Sequence, residues 1–207
     1  MNALDFLDYA SVFIFALTGA LAASRQQLDI VGFAFISCLT AVGGGTVRDL
    51  LLDRNPIFWI EQPTYIAVAC IAAFVIFFTA HLVESRLRTL IWLDSFALAV
   101  AVPAGTGVAL ALDHQILVVI LMGTITGCLG GLLRDVVLDD VPVVLKQGEL
   151  YVTAAFAGAT IAALTRPAFD TVLFPLLICA AVTWALRAGS LVFGWSLPVY
   201  KSRPPRS

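Results

Sequence analysis

The chain has 207 residues, 60% of them hydrophobic and 13% charged, with a formal net charge of −2 and a mean hydropathy of +0.97. A soluble domain carries about 25% charged residues to clothe its surface, so this composition excludes one and indicates an integral membrane protein. The slightly acidic balance argues against nucleic acid as a partner.

The leading charges are Asp5 and Asp8, where a signal peptide needs a basic flank, so the first apolar run, 4–23, reads as a retained transmembrane helix. Thr18 precedes Gly19 within it. The second span, 29–51, runs 18 residues without a charge (Ile30–Val47), meets Gly43, Gly44 and Gly45, and ends in Arg48-Asp49. "PIFWIEQP" (56–63) resembles an aromatic interfacial segment, with Glu61 in solvent. A third span follows at 63–82 and a fourth at 91–112, where "PAGTG" (103–107) offers an irregularity. The short link "ALDHQ" (111–115) suits antiparallel neighbours. The fifth span, 115–138, carries Thr124, Thr126, Gly130 and Gly131 before Arg134-Asp135. Spans 149–165 and 171–194 complete seven, and residues 198–207 read as a disordered basic tail near anionic headgroups. The alternation of a transmembrane barrel is missing.

Arg25, Arg86, Arg88, Arg134, Lys146, Lys201, Arg203 and Arg206 fall on one side of this arrangement, against Arg48, Arg54 and Arg166 on the other. That excess expects an outside N-terminus and a cytoplasmic C-terminus in the plasma (inner) membrane. Arg187, inside the seventh span, is expected to snorkel. The four cysteines (Cys38, Cys70, Cys128 and Cys179) lie in apolar runs without CxxC spacing, and His81 and His114 are far apart, so no metal site is expected.

Shifted by 86 residues, the sequence falls on itself without a gap. Asp8 meets Asp94, Gly19 meets Gly105, Thr40 meets Thr126, Gly44-Gly45 meet Gly130-Gly131, and Arg48-Asp49 meet Arg134-Asp135. Asp53, Pro56 and Tyr65 meet Asp139, Pro142 and Tyr151. Three spans per unit force the second copy in from the opposite face. The expected fold is therefore an all-α integral membrane protein. It forms one membrane domain, with repeat 1 at about 4–82, an inverted repeat 2 at about 90–165, and an additional helix at about 171–194. Inverted repeats with glycine-interrupted helices point to a solute pathway at their interface.

Two readings of the glycines stand side by side. Gly43, Gly44, Gly45, Gly130 and Gly131 suit a kink that frees backbone carbonyls toward a partly dehydrated cation. Equally, Ser37-xxx-Ala41-xxx-Gly45 and Gly123-xxx-Gly127-xxx-Gly131 are small-xxx-small patterns for close helix packing. Thr18, Ser37, Thr40, Thr124 and Thr126 are candidate pore-lining hydroxyls. Arg48, Asp49, Arg134 and Asp135 are either interfacial helix-end caps or gating charges in the pathway. Since adjacent helical residues diverge, each arginine is expected to find its partner elsewhere, on the other repeat. Asp8 and Asp94 are expected in helix-end or interfacial roles. HExxH, GxSxG and GxxxxGK[ST] signatures are all missing, so no enzyme is expected.

The doubled signature "GGGTVRDLLL" (43–52) and "GGLLRDVVL" (130–138), within two three-helix repeats plus one helix, resembles the prokaryotic branch of the trimeric intracellular cation channel family. That resemblance implies a homotrimer with one pore per subunit, permeable to potassium and less selectively to sodium. It places glycine-kinked second and fifth helices beside the pore and needs no cofactor beyond the permeant ion. Leu129 stands where repeat 1 has Gly43. The signature also occurs in membrane proteins regarded as glycine transporters, so a carrier for a small zwitterion is the alternative.

Overall fold

The computed structural model describes residues 3–83, 85–146 and 148–198, so Lys201, Arg203, Arg206 and the tail from 199 onward lie outside the described residues. Eight α-helices are present: α1 (Ala3–Arg25), α2 (Ile30–Leu51), the single turn α3 (Phe58–Glu61), α4 (Thr64–Thr79), α5 (Arg86–Ala111), α6 (Ile116–Val137), α7 (Val152–Thr165) and α8 (Leu173–Phe193). Short 3-10 turns extend α4 to Leu82 and α7 to Ala168. The described residues contain no strand. Seven long helices thus match the seven expected spans. Six of them are long and apolar enough to cross a bilayer. At 14 residues α7 is the exception; it rises about 21 Å, short of a hydrocarbon core of about 30 Å. The sixth crossing begins at Val152, not 149, because Gly148 (φ 85°) and residues 149–151 approach as irregular chain.

The repeat reaches into the backbone. α2 and α6 start and stop 86 residues apart, and so do the turns that end the long helices. Gln27 and Asp113 take left-handed φ values of 55° and 53°, and Asp53 and Asp139 values of 51° and 54°. Matching bonds close these turns: Arg54 N–H to Asp49 C=O at 2.9 Å, and Asp140 N–H to Asp135 C=O at 2.9 Å. Asp29 caps α2 by accepting from Gly32 N at 2.7 Å, supplying one of the free amides of a helix start.

Helices α1, α2 and α4 pack as one unit and α5, α6 and α7 as another; α1 crosses α5, α2 crosses α6, and α8 lies against α5 and α7. Polarity is inside out relative to a soluble protein. Arg48, Arg134 and Arg187 are the largest fully buried side chains, while Ile71, Phe74, Val75 and Phe78 of α4 face outward. Apolar exposure carries no penalty in lipid, whereas a charge there must find protein partners.

The glycines do not break the helices. α2 runs as unbroken α-helix through Gly43, Gly44 and Gly45, and α6 through Gly130 and Gly131. α5 likewise continues through Pro103 and the "PAGTG" stretch. Close packing at the crossing falls to Gly44 and Gly130, each one residue before the Gly45 and Gly131 of the expected small-xxx-small patterns. A Cβ on Gly44 would collide with the Thr126 carbonyl oxygen of α6, and one on Gly130 with the Thr40 carbonyl oxygen of α2. These pairs exchange under the 86-residue shift, so the two helices cross at a pseudo-two-fold point where only glycine fits.

Candidate functional site

Two arginine-centred clusters lie at opposite ends of the α2–α6 crossing. At the N-terminal end of α1, Arg48 Nη1 donates to Asp8 Oδ1 at 3.0 Å and Arg48 Nε to Asp49 Oδ1 at 2.8 Å. Arg54 Nη1 adds a bond to Asp49 Oδ1 at 3.2 Å. The other Asp49 oxygen accepts from Phe58 N at 3.0 Å, and the Arg48 guanidinium carbon lies 5.4 Å from the Phe58 ring centroid. At the opposite end, Arg134 Nη1 donates to Asp94 Oδ1 at 3.0 Å and Arg134 Nε to Asp135 Oδ1 at 2.7 Å. Asp135 Oδ2 accepts from Val143 N at 2.9 Å.

These contacts revise two expectations. Each arginine does pair with its neighbour in sequence, because its long side chain curls back far enough for Nε to reach the adjacent carboxylate. Its second carboxylate, Asp8 or Asp94, comes from the same repeat, 40 residues earlier. Neither aspartate is an interfacial bystander: Asp94 is fully buried, and the Asp8 side chain is 13% exposed. Nor are the Arg-Asp pairs caps beyond the helix ends, since Arg48, Asp49 and Arg134 have no exposed surface and Asp135 only 5%. Arg134 also reaches across to repeat 1, its Nη1 donating to Thr18 Oγ1 at 3.1 Å. Position 104, equivalent to Thr18, is alanine, so Arg48 lacks that partner.

The charges therefore do not match. Cluster one holds Asp8 and Asp49 against Arg48 and Arg54, and is neutral. Cluster two holds Asp94 and Asp135 against Arg134, a formal −1. Asp140 takes the place of Arg54 there and binds Arg25 instead, at 3.5 Å.

Between the clusters, Thr40 and Thr126 donate to their own helices, to Ile36 O and Met122 O, both at 2.6 Å. Ser37 Oγ is buried without a partner and lies in the seam with Gly19. Thr124 departs from expectation: it bonds Ile120 O at 2.9 Å and is only half-buried, on a different face of α6 from Thr126. Two residues apart on a helix is about 200°, which turns it away from the crossing.

Two cavities lie near the clusters, and the smaller of them touches the crossing. One of about 10 Å³ touches Asp8, Thr40, Gly44, Gly45, Phe58 and Thr126. The other, about 290 Å³, is a vestibule at the opposite face, lined by Ala22, Arg25, Asp135, Asp140, Lys146 and apolar neighbours. They share no lining residue, and at the crossing itself α2 and α6 pack backbone to backbone at Gly44 and Gly130.

Sequence reading missed Asp8 and Asp94 as ion-pair partners, although their coincidence under the repeat was the available signal. It also missed Arg187, which does not snorkel: it is fully buried and pairs with Glu149 at 2.7 Å.

Comparisons with known proteins bear on this arrangement directly. A family model described as "Glycine transporter" matches the chain twice, at residues 5–81 and 91–167, two copies offset by the same 86 residues. The inner membrane protein YadS of Escherichia coli (strain K12) is 34% identical over 202 residues, covering 94% of both chains. The crystal structure of the trimeric intracellular cation (TRIC) channel orthologue from Rhodobacter sphaeroides superposes with a TM-score of 0.90 at 38% identity, over 94% of this chain and 100% of that one. The chain belongs to the prokaryotic TRIC family. A second TRIC cation channel structure matches this TRIC chain at 25% identity and a TM-score of 0.86, over 98% of it and 100% of the other. Membership makes the protein a multi-pass membrane protein and not an enzyme.

Proposed function

We propose that this TRIC family member is a monovalent cation channel, potassium-permeable with some sodium permeation. It works as a homotrimer with one pathway per subunit between α2 and α6. The observation that carries this reading is the glycine-lined α2–α6 crossing, with a small cavity beside it that Asp8 lines and a vestibule at the opposite end that Asp135 lines. The arginines do not repel a cation there, because each is matched by two carboxylates at hydrogen-bonding distance.

A modest separation of α2 from α6 opens the route. The Thr40 and Thr126 carbonyl oxygens already face the opposite helix at Gly130 and Gly44. A carbonyl in a helix keeps a second lone pair, and with the two threonine hydroxyls this gives four oxygen dipoles for a partly dehydrated ion. Gly43 and Gly45 flank that opening on α2, and Gly131 flanks it on α6. Thr18 and Ser37 continue the polar lining towards the vestibule, and Asp135 is the carboxylate that meets the ion there.

The description of the family model keeps a second reading in play, exchange of a zwitterion such as glycine. Arg-Asp clusters complement such a solute. Against it, the cavity at the crossing, about 10 Å³, has room for about one water, well short of an amino acid. Purified protein in planar bilayers under a potassium gradient distinguishes the two. A channel gives unitary current steps that reverse near the potassium equilibrium potential. Saturable glycine exchange in proteoliposomes, without steps, contradicts it.

We also propose that the vestibule faces the cytoplasm and that the N-terminus is outside. Removing the buried Arg48 and Arg134 from the count of basic residues leaves seven against two, and the positive-inside bias grows.

A further inference from the structure

α8 lies outside the repeat, yet it contributes the third fully buried arginine. Arg187 Nη2 donates to Glu149 Oε2 at 2.7 Å, and its guanidinium carbon lies 5.0 Å from the Tyr151 ring centroid. One turn further along, Ser190 Oγ accepts from Leu150 N at 2.9 Å. The three residues 149–151 are thus clasped to α8 from two positions. They end the loop that carries Asp140, Val141, Val143 and Lys146 along the vestibule wall. The loop's other end is held by Asp135, through Val143 N.

Tyr151 links this clasp to the second cluster. A methyl group placed on Gly131 would lie 3.5 Å from Asp94 Oδ1 and 3.6 Å from both Arg134 Nη2 and Tyr151 Oη, so the three groups surround one face of α6. Their bonding is incomplete: Tyr151 and Asp94 interact with each other, while Arg134 Nη2 and Arg187 Nε and Nη1 are buried with no protein hydrogen bond. A permanent staple would use these donors, since an unpaired buried polar group is costly. Left spare, they provide for a second arrangement of the same groups. In repeat 1 Arg48 Nη2 is likewise buried without a protein hydrogen bond, but Tyr65, the equivalent of Tyr151, packs against Tyr9 and Phe58.

We propose that Arg187 is a positioning residue for gating: through Glu149 and Tyr151 it ties α8 to the Arg134–Asp94 cluster and holds the vestibule end of the pathway shut. This rests on the channel reading. In planar bilayers, Glu149→Gln raises open probability about tenfold, the equivalent of one charge-assisted hydrogen bond, and leaves unitary conductance unchanged. Arg187→Lys, which keeps the charge but not the planar fork, gives a smaller rise in the same direction. A conformational readout accompanies the recordings: with Cys38 and Cys70 replaced by alanine, Ala22→Cys in the vestibule reacts faster with a charged methanethiosulfonate when Glu149→Gln is added.

Wild-type steps with both variants within twofold in open probability overturn the proposal. A changed conductance with unchanged gating does so too, since it would make these groups part of the pore lining. Tyr151→Phe keeps the ring and removes only the hydroxyl. If the charge variants fail to assemble and Tyr151→Phe gates as wild type, Arg187 is a structural pin and the proposal falls. Absence of wild-type steps refutes the channel reading instead, and the reactivity of the Ala22→Cys variant then decides the clasp alone.

Discussion

A guanidinium removed from water stays charged inside a helix bundle only while carboxylates accompany it. Arg134 has two, and taking it away strands Asp94 in the bundle interior and leaves Asp135, on the vestibule wall, without its cation. Arg134→Met should therefore destabilise the detergent-solubilised protein by about 3–5 kcal/mol, read as a large drop in its thermal unfolding midpoint. Adding Asp94→Asn should recover part of that loss, because one orphaned charge is removed. Equal midpoints for the single and double variants would contradict the pairing. At this scale the sequence carried a usable signal: the doubled Arg-Asp pairs and the coincidence of Asp8 with Asp94 were visible. What it hid was reach. A linear rule says that neighbours diverge, while a flexible side chain can turn back on itself, and burial of Arg187 depends on helices far away in sequence.

At the level of elements, helix and break could not be separated from residue types alone. Gly-rich stretches serve a kink and a close crossing equally well, and only the partner helix decides between them. The crossing of α2 and α6 settles it, since Thr126 and Thr40 present backbone oxygens where a side chain would otherwise begin. Gly44→Ala and Gly130→Ala should each cost about 1–3 kcal/mol through overpacking, and by similar amounts because the sites are equivalent under the repeat. Gly43→Ala should be tolerated, since its new methyl would meet only the end of Leu133, at 2.8 Å. Thermal unfolding of the three variants tests this order; a Gly43 variant worse than the other two would refute it. The short α7 escaped a reading based on length, because Glu149, Leu150 and Tyr151 precede an apolar run as a helix start would but are diverted to α8, where Glu149 and Leu150 bond Arg187 and Ser190.

Across the whole molecule, inverted topology followed from an odd number of spans per repeat; the matching turns at Gln27 and Asp113, and at Asp53 and Asp139, show the repeat in the backbone, and the reciprocal Gly44–Thr126 and Gly130–Thr40 contacts relate its copies by a pseudo-two-fold. The two halves are not functionally identical. One end has a narrow cavity beside a neutral cluster; the other has a wide vestibule in which Lys146 and the Arg25–Asp140 pair stand beside a cluster of formal charge −1. The orientation proposed from surface charge has a direct test: a green fluorescent protein fused at the C-terminus should fluoresce and an alkaline phosphatase fused there should be inactive, with the opposite pair of results placing the vestibule outside.

The central claim is that conduction requires α2 to separate from α6. Gly43 and Leu133 face one another across that seam, so a Gly43→Cys/Leu133→Cys variant, with Cys38 and Cys70 replaced by alanine, can be bridged by oxidation. Unitary currents recorded before oxidation, after it, and after reduction test the claim. They should vanish on bridging and return on reduction; full currents through quantitatively bridged protein would mean that ions pass elsewhere.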